Sequence, residues 1–193
     1  MARVIHVFRQ PDRFIAGTVG EPGDRAFYLQ AVEEARTVSV LLEKQQVTVL
    51  AERIGALLGE ISRRFGAEVS SEESESDDLV DTEPLVVPLE EEFRVGTMGL
   101  GWDADSRSIV VELLAFTEEE VDESVVLDDT EEGPDALRVF LSPLQARAFA
   151  ARAERVISAG RPPCPLCAQP LDAQGHICPR QNGYHRRAVA EDS

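Results

Sequence analysis

Apolar positions along this chain follow two rhythms. Short β-branched and aromatic runs, bounded by Gly, Pro and Asp, read as strands. They are Val4–Phe8, Phe14–Gly20 (FIAGTVG), Arg25–Val32 (RAFYLQAV), Thr37–Glu43 (TVSVLLE), Phe93–Gly99 (FRVGTMG), Arg107–Phe116 (RSIVVELLAF) and the start of Leu137–Val156. The run 37–43 alternates as a half-buried strand should. Two stretches instead repeat every three or four residues, the spacing of one helix face. The first covers Lys44–Phe65, with Val47, Leu50, Ile54, Leu57, Leu58 and Ile61 in register. The second opens at Ser142-Pro143, a capping serine before a first-turn proline, and runs through Leu144, Ala148, Phe149, Val156 and Ile157 to a stop near Gly160. Leu85–Pro88 (LVVP) is an edge strand or an extended linker, since Pro84 and Pro88 argue against a central strand.

The order of elements repeats. FIAGTVG and FRVGTMG match at an offset of 79, and each is followed by a turn (21–24 and 103–106) and an apolar strand beginning with arginine. At an offset of 99, Val40, Leu42, Gln46, Leu50, Ala51 and Arg53 lie over Val139, Leu141, Gln145, Phe149, Ala150 and Arg152. The expected fold is therefore α+β: duplicated β-β-β-α units forming an antiparallel sheet body with two helices. Repeat one spans about 3–66, an acidic linker about 67–83, and repeat two about 84–160. Residues 161–193 form a small zinc-knuckle-like module and basic tail.

Charge sharpens this division. The chain has 193 residues, 43% of them hydrophobic, and a formal net charge of −17. Residues 1–151 carry 13 Lys and Arg against 32 Asp and Glu, while 152–190 carry six arginines against Glu154 and Asp172. The acidic body opposes phosphate backbones, so nucleic acid is not an expected partner. The acidic segments 68–78 and 118–135 read as solvated loops. No apolar run reaches the ~20 residues that cross a bilayer, and the N-terminus lacks the apolar stretch and cleavage site of a signal peptide. A cytoplasmic protein is expected.

All three cysteines, Cys164, Cys167 and Cys178, fall within fifteen residues, in RPPCPLCAQPLDAQGHICPRQNGYHRR. An odd number in one cluster argues for reduced thiols holding a metal rather than for a disulfide framework. Zinc takes four tetrahedral ligands from thiolate and imidazole. Cys164 and Cys167, separated by two residues, supply one half of such a site. Cys178 and a histidine supply the other. His176 is favoured, because Gly175 can turn the chain towards it and Pro179 follows Cys178 much as Pro165 follows Cys164; His185 is the alternative. A redox Cys-x-x-Cys opens a helix beside a βαβ unit, whereas Pro170 and Gly175 break this segment. Four ligands in a short closed loop leave no coordination position for water, so the expected cofactor is structural Zn2+.

Other motifs carry blander readings. GlyLeuGlyTrpAspAla (99–104) fits a dinucleotide pattern, but a hairpin follows it instead of a helix. Asp103 and Asp105 read as turn residues. The GlyThrValGly and GlyThrMetGly glycines mark strand bends or bulges. His6 reads as a packed or edge histidine and Tyr28 as a core residue with a satisfied hydroxyl. No Ser/His/Asp or Cys/His nucleophile can be assembled.

Three blocks, RVIHVFRQPDRFIAGTVGEPGDRAFYLQA, FRVGTMGLGWD and CPLCAQPLDAQGHICPRQNGY, resemble a family of actinobacterial, repeat-containing proteins of unknown function. The resemblance implies an actinobacterial cytosolic protein and no particular activity. The family's terminal Cys/His block maps onto Cys164, Cys167, His176 and Cys178, and His185 lies just beyond it.

Three functions follow as expectations. The first is a zinc-stabilised interaction or regulatory protein that docks a protein partner or self-associates. The second is a hydrolase-type enzyme with a pocket between the repeats, where carboxylates such as Glu43 and Glu112 converge. The third and weakest is nucleic-acid binding through Arg180, Tyr184, Arg186 and Arg187, which the acidic body opposes.

Overall fold

The two hydrophobic rhythms become strands and helices close to where the sequence puts them. The computed structural model describes residues 2–65, 80–160, 164–168, 171 and 178. In chain order the elements are β1 (Ile5–Phe8), β2 (Arg13–Val19), β3 (Ala26–Glu33), β4 (Arg36–Leu42), α1 (Lys44–Phe65), β5 (Glu91–Asp103), β6 (Ser108–Ala115), β7 (Ala136–Leu141) and α2 (Pro143–Ser158). Each helix carries, as its third residue, a glutamine that bonds back to the residue before the helix. The Gln46 carboxamide oxygen accepts from the Glu43 N–H at 2.8 Å. The Gln145 oxygen accepts from Ser142 N–H at 3.0 Å while the Ser142 hydroxyl accepts from Gln145 N–H at 3.1 Å, completing a capping box.

The strands form one seven-stranded sheet in the order β1-β7-β6-β5-β4-β3-β2. The expectation of an antiparallel sheet is corrected here, for the sheet is mixed. β1 pairs parallel with β7, and β4 pairs parallel with β5. Parallel neighbours need a crossover, and α1 with the segment after it supplies one between β4 and β5.

The long strand β5 belongs to two partners. Glu91–Arg94 runs beside β4, and Val95–Asp103 pairs antiparallel with β6, with a register shift at Val95/Thr97. Near the N-terminus two successive strands likewise take different partners. β1 lies parallel to β7, and β2 lies antiparallel to β3. These two strands stand at opposite ends of the sheet but are joined by only residues 9–12. That link reaches ~18 Å, while the ends of a flat seven-stranded sheet lie ~29 Å apart. The sheet must therefore curl until its ends approach. Asp12 N–H donates to Val32 O at 2.8 Å and the Gln145 amide to Pro11 O at 3.0 Å across this join. Arg36 closes it from the other side, donating to Val7 O and lying 4.0 Å over the Phe8 ring.

One face of the sheet and both helices share a single apolar core. It includes Phe14, Leu29, Val40, Val111, Leu113 and Val139 from strands, Leu50 and Ile54 from α1, and Phe149 from α2. Phe14 stacks on Phe149 with ring centroids 4.6 Å apart. The other face is covered by irregular chain. Leu85 packs on Gly17, where a Cβ would stand 2.6 Å from Leu85 Cγ, and Val126 and Leu127 pack in the same way on Gly99 and Gly101. Leu85–Pro88 is therefore a strap and not an edge strand. The acidic run 118–135 is exposed along much of its length, but it is not a loose loop, because Val125–Leu127 and the backbone around them are fastened to β6 and β7.

Candidate metal centre

The chain leaves α2 at Ser158 and reaches Cys164 a few residues later. Residues 165–167 form a turn, closed by a 2.8 Å bond from Ala168 N–H to Cys164 O, with Ala168 at a φ of 60°. This tight turn returns Cys167 towards Cys164. Cys178 comes in from further along the chain. The three Sγ atoms lie within 4.8 Å of one another, and those of Cys164 and Cys178 are 3.8 Å apart. Cys164 and Cys178 are buried, while Cys167 is half-buried.

These distances have a chemical meaning. A disulfide would bring two sulfurs to ~2.05 Å. Thiolates at two corners of a tetrahedron around zinc, each ~2.3 Å from the ion, stand ~3.8 Å apart. Three thiols so arranged can hold a metal ion. The Cys-x-x-Cys pair sits on a turn and does not open a helix. His176, His185, Arg180, Tyr184, Arg186 and Arg187 lie outside the described residues, so the structure brings together three of the four expected ligands.

The carboxylates expected to converge in a pocket do not. Glu43 is exposed and paired with Arg94, whereas Glu112 is fully buried on β6 and held by Arg138. Their separation follows from the fold, since the core shared by the two halves is filled with aliphatic and aromatic side chains. Asp103 caps its own turn, accepting from Asp105 and Ser106 N–H groups, and the Ser106 hydroxyl is the main cause that lowers its pKa. His6 Nε2 lies 3.3 Å from Glu92 without hydrogen-bond geometry. Tyr28 is half-buried, not fully in the core, and its hydroxyl is pushed up in pKa by burial and then by Glu91.

Two polar networks escaped the reading of the sequence. In the first, Arg13 and Arg152 both grip Asp81, with Arg13 Nη2 2.9 Å and Arg152 Nη1 3.2 Å from Asp81 Oδ1. Arg152 also donates to Ala16 O at 2.8 Å. The cluster borders a cavity of about 100 Å3 beside Phe14, Leu141 and Phe149. The Arg13 bond holds Asp81 below its ordinary pKa, and burial lowers that of Arg152. In the second, Glu112 accepts from Arg138 at 2.7 Å and from Leu127 N–H, while Arg138 also reaches Asp129 and Asp128 O. Both networks fasten straps to the sheet. Only the second had a signal in the sequence, Glu112 as the one charged residue in SIVVELLA.

Residues 6–178 match a family described as "Protein of unknown function (DUF3090)". Neither the curated proteins nor the solved structures contain a match to the chain.

Proposed function

The chain belongs to the DUF3090 family of proteins of unknown function, and from that premise we propose that it is a zinc-stabilised interaction protein whose metal is held by Cys164, Cys167, His176 and Cys178. One observation carries this reading: three Sγ atoms gathered within 4.8 Å, with Cys164 and Cys178 at the spacing of thiolates on tetrahedral zinc. The family match ends at Cys178, so it contains all four of these residues and leaves His185 outside. Four protein ligands leave no place for a reactive water, and zinc then acts as a staple. The reducing interior of a cell suits such thiolates.

The interaction role rests on charge. The metal module and the end of α2 carry six arginines over residues 152–190, beside a body with a large acidic excess. This contrast suits docking of a protein partner or self-association more than turnover. The body itself reads as a duplicated β-β-β-α unit. Gln46 and Gln145, 99 residues apart, each cap a helix, and each bonds backbone in or just after the strand that pairs parallel with the one before that helix, at Val95 O in β5 and Pro11 O after β1. The offset of 79 fares worse, since Gly20 lies in a turn but Gly99 lies within β5.

Metal content tests the reading. Protein purified under reducing conditions is expected to carry about one zinc per chain. Cys164→Ser should lower this well below stoichiometry. Chelation should open the arginine sites in 161–187 to trypsin. A metal-free chain equally resistant to trypsin there would overturn the reading.

A further inference from the structure

The three thiols are unequally placed. Cys164 and Cys178 are 6% and 2% exposed. Cys167 is half-buried, on a turn whose neighbour Leu166 is 49% exposed. A solute therefore meets Cys167 before it meets the other two. The chain has no other cysteine, so any disulfide formed within it must come from this cluster.

From this asymmetry we propose that the metal centre is redox-regulated: hydrogen peroxide oxidises Cys167, and a disulfide between Cys167 and one of the buried pair ejects the zinc. The inference rests on the metal reading above and adds its regulation. Metal binding keeps cysteines as thiolates, the nucleophilic form. The Cys167 thiolate attacks the O–O bond of the peroxide, takes one oxygen as sulfenic acid and releases the other as water after protonation. A neighbouring thiolate then attacks the Cys167 sulfur, the S–S bond forms, and hydroxide leaves and is protonated. Two thiolates lose two electrons in all, and one peroxide and two protons become two waters. Both possible partners already lie within 4.8 Å of Cys167 Sγ. Closing to the ~2.05 Å of a disulfide needs a movement of under ~3 Å. Two of four ligands are then spent, and one thiolate with one imidazole holds zinc weakly.

The experiment uses the full chain, reduced and zinc-loaded. Zinc release is followed with a chromogenic chelator during titration with hydrogen peroxide, and the products are mapped by peptide mass. About one zinc is expected to leave per peroxide consumed. Cys167 should be found in the disulfide, and thiol reductant plus zinc should restore the starting state. In a parallel arm, limited iodoacetamide on the zinc-loaded protein should label Cys167 at least tenfold faster than Cys164 or Cys178. Reduced protein that carries no zinc would overturn the metal reading itself. Zinc retained under a tenfold excess of peroxide would leave that reading standing and overturn the redox proposal alone. A disulfide joining Cys164 to Cys178, or faster labelling of either, would overturn the role given to Cys167.

Discussion

Glu112 has no exposed surface and stands in β6 between Val111 and Leu113. A buried carboxylate is costly unless it is paired and hydrogen-bonded, and Arg138, its register partner on β7, meets that need. Removing Glu112 leaves the buried Arg138 guanidinium only the exposed Asp129 carboxylate and the Asp128 carbonyl. Glu112→Ala should therefore lower unfolding free energy in urea by about 3–5 kcal/mol. Replacing Glu112 with Leu and Arg138 with Met together should cost clearly less than Glu112→Ala, and a larger loss in the double variant would refute this account. Asp81 makes a pH-dependent counterpart. The Arg13 bond lowers its folded pKa. Its contribution is thus complete above the unfolded value of ~3.9 and disappears as pH falls through the lower folded value. Asp81→Asn should cost about 2 kcal/mol at pH 7, between exposed and buried pairs, and less at the lowest pH at which the protein stays folded. An equal cost at both pH values would show that charge is not the cause. Neither network was foreseen, although Glu112 was visible as a charged residue inside an apolar strand. A strand of that kind names the residue to be satisfied but not its partner, which here comes from another strand or a strap.

Glycines divide the elements into places where space is taken and places where it is open. Gly99 in β5 lies under Val126, so a methyl group there has nowhere to go. Gly55 and Gly59 are exposed on α1, and a Cβ added to either meets nothing within 4 Å. Glycine inside a helix is worse than alanine by ~0.5–1 kcal/mol. Gly55→Ala and Gly59→Ala should each stabilise the protein by about that amount, while Gly99→Ala should destabilise it by ~1–3 kcal/mol. Thermal or urea unfolding of the three variants separates these signs, and a loss at Gly55 or Gly59 would reveal a packing role absent from the described residues. The helices were legible because their rhythm and caps are local: Lys44–Phe65 stands where its apolar spacing puts it, and Ser142 caps α2. The cysteine cluster was legible for the same reason, its spacing being written within fifteen residues. The straps were not, since Leu85 and Val126 meet Gly17 and Gly99 from distant parts of the chain.

At the scale of the molecule, the hidden features are the parallel pairs. Ile5 is the register partner of Ala136, and no local pattern records a pairing over that separation. The same pairs tie the two ends of the body into one sheet. Its apolar core draws on β1 at one end of the sequence and reaches Ala153 in α2, and it contains no cysteine among the described residues. Among the described residues, the thiols and the turn between Cys164 and Cys167 add no side chain to that core. Metal removal should therefore act locally. A binding site contributes stability only to the structure that must form with it. Chelation of the zinc-loaded chain should leave the main thermal transition of the body within ~2 °C of its starting value. In the same sample, tryptic cleavage within 161–187 should become fast. The curled sheet places many non-local pairings in the body, so its transition should stay cooperative as the metal is withdrawn. A fall of ten degrees or more would show instead that the metal unit and the body melt as one, and the staple would then have to be counted as part of the core.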